Sequence, residues 1–201
     1  DDLTPDTVNK LLKDLTPTEI QDFVNQLGSA EKVKILADKY GGEVLKHYGA
    51  DFFKDYKGVT QDTINHLLKN EGVQKGEIKG CHDQATFLSE LNGKGEVVST
   101  TPDPANPDVV RYEYKLYQKD AKGKIEQPPT LSTGKPKLKT VIKDLASDPN
   151  KWQDIGNAAA DDAIKSKTFP KDGGAFEGTG QGIRIRGFYR PNKVDTFFPN
   201  F

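Results

Sequence analysis

Asn65-His66-Leu67-Leu68-Lys69-Asn70-Glu71-Gly72-Val73-Gln74-Lys75-Gly76-Glu77-Ile78-Lys79-Gly80-Cys81-His82 is the stretch on which the reading of this chain turns. On its N-terminal side, Thr60 is placed to cap a helix that carries Ile64, Leu67 and Leu68 and ends at Gly72. His66 lies off that apolar stripe. On its C-terminal side, Asp83 to Leu91 reads as a second helix with Phe87, Leu88 and Leu91 turned inward. Between them, three glycines (Gly72, Gly76, Gly80) and three lysines (Lys69, Lys75, Lys79) predict a jointed, cationic turn with a histidine at either end, 16 positions apart. Imidazole titrates near pH ~6.5, so at neutral pH one ring can take a proton while the other gives one. Such a pair suits acid and base work on one phosphodiester.

Upstream, residues 1–57 read as short helices. Thr4-Pro5 and Thr16-Pro17 each look like an N-cap with proline at the first helical position, and Glu19 completes a capping box with Thr16. Gly28, Gly41-Gly42 and Gly49 punctuate the helices that follow. His47 has no companion histidine, cysteine or acid cluster and reads as a surface or half-buried helix residue. Lys57-Gly58 is the expected boundary between this helical part, an entry segment or a linker, and a second unit over residues 58–201.

Downstream of Asn92-Gly93 the period changes from helical to two. Val110, Tyr112, Tyr114 and Leu116 alternate with Arg111, Glu113 and Lys115 in a strand over residues 109–118. Residues 127–137 are proline- and lysine-rich and read as a loop. Leu138 to Ile142 reads as a strand, Asp148-Pro149 opens a helix with Trp152, Ile155, Ala159 and Ala163, and the last 28 residues read as a meander ending in Val194 to Phe198. The expected class is α+β: a small helical N-terminal part, then a helix-plus-antiparallel-sheet domain.

The 201 residues suit one domain or two small ones. No apolar run approaches the roughly 20 residues of a membrane helix, so stable membrane insertion is not expected. The single Cys81 excludes an internal disulfide and a four-sulfur zinc site. GxxxxGK, CxxC, HExxH and GxSxG are all absent, and no cofactor or metal is expected. Methionine is absent throughout, position 1 included, which reads as a piece of a longer chain. Charge is uneven. Residues 1–57 hold 8 basic and 11 acidic side chains, net −3, whereas residues 111–143 hold 9 basic and 3 acidic, net +6. A basic segment beside the histidines favours an anionic substrate.

Four fragments in order then resemble EndoU-type endoribonucleases: His66-Leu67-Leu68, Gly80-Cys81-His82, Lys139-Thr140-Val141, and Val194-Asp195-Thr196-Phe197-Phe198-Pro199. The resemblance covers residues 58–201. It implies an EndoU-like nuclease fold of the barnase/EndoU/colicin/RelE type. It also implies metal-independent RNA cleavage that leaves a 2′,3′-cyclic phosphate, with His82 as base, His66 as acid and Lys139 as the electrostatic group. Thr196 would contact substrate and Phe198 would be a base platform. Two departures stand out: Cys81 occupies a place where many bacterial members have histidine or glycine, and Phe198 replaces the usual tyrosine. Lys137 and Lys143 share the strand parity of Lys139 and compete for its role. By the same resemblance the chain is the tip of a polymorphic toxin of the contact-dependent growth inhibition or Rhs type. It would be carried on a secreted or cell-surface protein and act on RNA, tRNA foremost, in the cytoplasm of a target bacterium. A cognate immunity protein would neutralise it, the chain being a monomer or one half of a toxin–immunity heterodimer.

A different reading of the same residues is a non-catalytic RNA- or protein-binding module. It would use the basic 111–143 region, with Tyr112, Tyr114 and Tyr117 as a stacking face. Each site residue also has a plainer reading: His66 on a helix surface, His82 capping the next helix with Asp83, Lys139 on a solvated strand, and Thr196 and Phe198 as core and edge.

Overall fold

The computed structural model describes residues 3–201. Five short helices come first: α1 Pro5–Leu11, α2 Pro17–Leu27, α3 Ala30–Tyr40, α4 Gly42–Tyr48 and α5 Ala50–Asp55. The hydroxyls of Thr4 and Thr16 accept from the backbone N–H groups three residues on, and Gly28 closes α2 in the left-handed conformation. Next come α6 Gln61–Leu68, β1 Asn70–Gln74, β2 Glu77–Gly80 and α7 Gln84–Leu91. The rest is β3 Gly95–Pro102, β4 Val109–Leu116, β5 Lys137–Ile142, α8 Pro149–Lys165, β6 Gly174–Gly180, β7 Ile183–Arg190 and β8 Lys193–Pro199. The strands form three antiparallel sheets ordered β1-β2, β3-β4-β5 and β6-β7-β8. The architecture is therefore mixed helix and antiparallel sheet.

The expected turn before His82 is a β-hairpin. Lys75 and Gly76 both take positive φ (51° and 75°), which is the two-residue turn whose twist matches the flanking strands. Its strands escaped the periodicity reading because glycine, asparagine and lysine interrupt any alternation.

A large core joins both ends of the chain. Phe23, Tyr48, Phe52 and Phe53 from the first helices pack with Trp152 and Ile155 of α8, and with Phe169, Phe176, Tyr189 and Phe197. The Tyr48 hydroxyl donates to the Phe169 carbonyl (3.2 Å) and accepts from the Phe169 N–H (3.1 Å). Lys39 pairs with Asp161 at 2.7 Å. The Lys57-Gly58 boundary thus divides the chain in sequence while the core runs across it. Helix α8 lies directly on β6. A Cβ on Gly178 would stand 2.0 Å from the Ala159 carbonyl oxygen, and one on Gly180 would stand 2.1 Å from that of Ile155, so only glycine permits this approach.

A second, smaller core lies under the middle sheet. Ile78, Cys81, Phe87, Leu91, Val110, Tyr112, Tyr114 and Val141 build it. Tyr112 stacks on Phe87, and the Tyr114 hydroxyl accepts from the Ile78 N–H at 2.8 Å. Two of the three tyrosines of the stacking-face reading are therefore core residues, because the alternation that makes β4 a strand turns both to its covered side.

Candidate active site

His82 is fixed by three bonds to two parts of the chain, α6 and β5. Its N–H donates to the Leu67 carbonyl at the end of α6 (3.0 Å), and its carbonyl accepts from the Ile142 N–H of β5 (2.8 Å). Its ring Nδ1 lies 3.2 Å from the Thr140 carbonyl oxygen. A carbonyl can only accept, so Nδ1 carries the proton in this contact and Nε2 keeps its lone pair. The capping of α7 falls to Asp83 alone: one carboxylate oxygen accepts from the Thr86 N–H (3.1 Å) and the other from the Ala146 N–H (3.2 Å). That frees the imidazole for other work.

Lys139 pairs with Tyr112 across β4–β5, which puts it on the covered face of the sheet beside Val141. It is only 9% exposed, and its ammonium donates to the Ile78 carbonyl of β2 at 3.2 Å. Its rivals sit elsewhere. Lys137 is exposed and pairs with Glu77 at 3.1 Å, and Lys143 is exposed past the strand end.

A pocket of about 560 Å³ brings these groups together. Its wall includes His82, Lys139, Thr140, Arg111, Phe198 and Asn200. The His82 and Phe198 rings are parallel within 4°, their centroids 5.9 Å apart. Phe198 reaches this position through a bulge in β8. Phe188 pairs with Thr196 while Tyr189 pairs with Val194, so Asp195 is the extra residue. The bulge sends Val194 into the core and leaves Thr196 and Phe198 on the opposite face, across from Phe188 and Arg186. Thr196 shares that face without entering the pocket wall.

His66 stands outside the wall. It lies on the last turn of α6 with its side chain 46% exposed, its Nδ1 3.7 Å from the Glu71 carboxylate. Burial is the main cause that holds the His82 pKa down at about 4; the Lys139 charge and then His66 add to it, while the Thr140 carbonyl opposes it. Burial likewise lowers the Lys139 ammonium to about 8, with Lys79 adding repulsion and Cys81, Glu71 and Glu77 pulling the other way. At pH 7 the site therefore holds a neutral imidazole beside a charged ammonium.

Arg111, Glu71 and Asn200 were not anticipated. The alternation of β4 already placed Arg111 outward, and its guanidinium lies 4.4 Å from the Phe201 ring centroid. Nothing local marks Glu71 or Asn200. Among the described residues no helix is long and apolar enough to cross a membrane, and no group of three or more His, Cys, Asp or Glu is arranged to hold a metal ion. No protein-family model matches the chain, and no curated protein is significantly similar to it.

Proposed function

We propose that the protein is an endoribonuclease that uses the ribose 2′-hydroxyl as its nucleophile. His82 Nε2 takes the 2′-hydroxyl proton as the 2′-oxygen bonds to phosphorus. The bond from phosphorus to the 5′-oxygen breaks, and the departing oxygen is protonated from outside the pocket wall, the role this proposal gives to His66 on the exposed last turn of α6. The Lys139 ammonium offsets the negative charge gathered on the phosphorane. The products are a 2′,3′-cyclic phosphate and a 5′-hydroxyl. The observation that carries this reading is one pocket holding a neutral imidazole with a free Nε2, a buried ammonium and an aromatic ring. Phe198 offers a base a flat apolar face but no hydroxyl, so stacking rather than a phenolic hydrogen bond would hold the base.

In this proposal the fold is EndoU-like and the substrate is RNA in a target bacterium, tRNA foremost. The chain is the active end of a larger secreted or surface-borne toxin that a cognate immunity protein neutralises. The test is incubation of total tRNA with the protein in EDTA, followed by end analysis. Cleavage that persists, leaves 2′,3′-cyclic phosphate ends and disappears in His82→Ala supports the proposal. Cleavage ends bearing a 3′-hydroxyl, or an unimpaired His82→Ala, would sink it. The non-catalytic alternative keeps its basic loop but loses Tyr112 and Tyr114 as stacking platforms, since both are buried.

A further inference from the structure

A cavity larger than the His82 pocket lies beside it. A cleft of about 710 Å³ opens between the tip of the β1–β2 hairpin, strand β4 and the loop that leads into β5. That volume lies within the ~300–1,000 Å³ of typical ligand pockets. Six lysines line it, Lys75, Lys94, Lys115, Lys119, Lys135 and Lys137, and no acid does. Lys94 and Lys137 are neutralised by Glu90 and Glu77. Among the described residues the other four have no carboxylate within 4.0 Å. Glu96 also stands at the rim, where it accepts from the hydroxyl of the lining Tyr117 at 2.8 Å. Between the lysines lies an apolar floor of Val73, Leu116, Ile125 and Pro136.

The walls are tied by the backbone. Ser132 N–H donates to Leu116 carbonyl (2.9 Å), Gln118 N–H to Thr130 carbonyl (2.8 Å), and Glu126 N–H to Gln118 carbonyl (3.1 Å). The two cavities also meet. Tyr114 lines both; Gly76 of the cleft precedes Glu77 of the pocket, and Lys137 of the cleft precedes Leu138 and Lys139. Along β5, Lys137 and Lys139 are two residues apart, about 7 Å.

We infer that this lysine cleft is a second RNA-binding subsite, which holds the nucleotides flanking the scissile phosphate while the His82 pocket holds the phosphate itself. Single-stranded RNA presents the matching chemistry: a repeated anion for the lysines and flat apolar bases for the floor. The inference rests on the proposed cleavage reaction for its substrate class, but its test does not.

The probes are a labelled single-stranded 12-nucleotide RNA and a labelled dinucleotide. They are bound to His82→Ala protein, which is silent in cleavage, with and without Lys115→Gln, Lys119→Gln and Lys135→Gln together. These side chains leave the small core untouched, and a thermal melt checks the fold. The triple substitution should weaken 12-mer binding roughly 10–100-fold near 0.1 M salt and flatten the salt dependence by about two in log–log slope, from three lost phosphate contacts. Dinucleotide binding should not change. In the active chain, kcat/KM should fall for the 12-mer and hold for the dinucleotide. An unchanged 12-mer affinity and salt slope overturns the subsite. If polyglutamate alone then binds in a lysine-dependent way, the cleft belongs to an acidic protein partner. If no RNA is cut yet 12-mer binding needs the lysines, the cleavage proposal fails and the cleft stands.

Discussion

The two cores of this protein obey different rules. The large one is built of aromatic and aliphatic side chains, and its polar atoms are mostly spoken for, as Tyr48 is by both backbone groups of Phe169. The small one buries a lysine beside a cysteine, and Cys81 itself takes a positive φ of 54°, a conformation few non-glycine residues adopt. Sequences that specify a fold keep local and global preferences in agreement, and departures gather where function demands them. The contrast teaches that the large core makes the fold stable, whereas the small core spends stability to keep a charge and a base in one pocket.

The largest expected effects separate the two directly. His82→Ala should lower RNA cleavage by about 10²–10⁴, with thermal stability nearly unchanged and RNA binding retained. Trp152→Ala should do the reverse. Trp152 is fully buried and its indole N–H donates to Asp144 at 2.6 Å. Its loss should cost about 3–5 kcal/mol, a fall in Tm of roughly 6–20 °C for a chain of this size. The folded fraction should still cleave. If Trp152→Ala instead abolished cleavage in protein shown to be folded, the division of labour would be wrong.

Periodicity reached the large core and, in the small one, Phe87, Leu91 and the inward face of β4, but it misplaced Leu88, which is exposed, and missed the hairpin. The caps at Thr4, Thr16 and Thr60, the breaks at Gly28 and Gly49, and the inward set of α8 are local signals, and each is where the spacing put it. The hairpin between the histidines has no such signal. Its turn depends on Lys75 accepting a positive φ, and its burial depends on the distant strands β4 and β5. The same limit applies to the site. His82 and Lys139 could be nominated from sequence, and both line the pocket. That His66 would stand outside the wall depends on how α6 meets the hairpin, which no spacing encodes. Phe198 lies where it does because Asp195 bulges, which inverts the parity a regular strand would give.

Acidification should weaken the protein through His82. The folded pKa of about 4 lies below the ordinary histidine value of 6.5. Between those values the unfolded chain binds the proton and the folded chain does not. Stability is therefore present above pH ~6.5 and is lost as pH falls toward ~4. The loss attributable to this ring is on the order of 2–3 kcal/mol, after allowance for its partial exposure. Denaturant unfolding at pH 7 and 4.5 should show a smaller acid penalty in His82→Asn than in the wild type, and equal penalties would mean the ring is well solvated. Cleavage should persist down to about pH 5 for want of base protonation, and the Lys139 contribution should fade above about pH 8 as that ammonium loses its charge.

Lys139→Met is the next test in size. A buried, desolvated ammonium with a single carbonyl partner is replaced by an apolar chain of similar length, which should raise stability by about 1–3 kcal/mol. Cleavage should be lost with it. Stability that fell instead would show that the bond to Ile78 outweighs the desolvation of the charge, and the small core would not be under tension at all.

The smallest effect gives the sharpest contrast. Tyr56 packs against the large core, and its hydroxyl is the one buried side-chain polar atom without a hydrogen-bond partner among the described residues. Burial, its main perturbation, pushes the phenol's pKa up, and the charge of Asp161 adds to this. An unpartnered hydroxyl held away from water is unfavourable, so Tyr56→Phe should stabilise the protein by about 0.5–1.5 kcal/mol. Here stability should rise with no change in cleavage, the opposite coupling to Lys139→Met. A gain in Tm from both substitutions, with activity lost in only one, would locate the functional tension in the small core. Reduced cleavage in Tyr56→Phe would instead tie the helices of residues 1–57 to the site through α8, on which the Tyr56 environment rests.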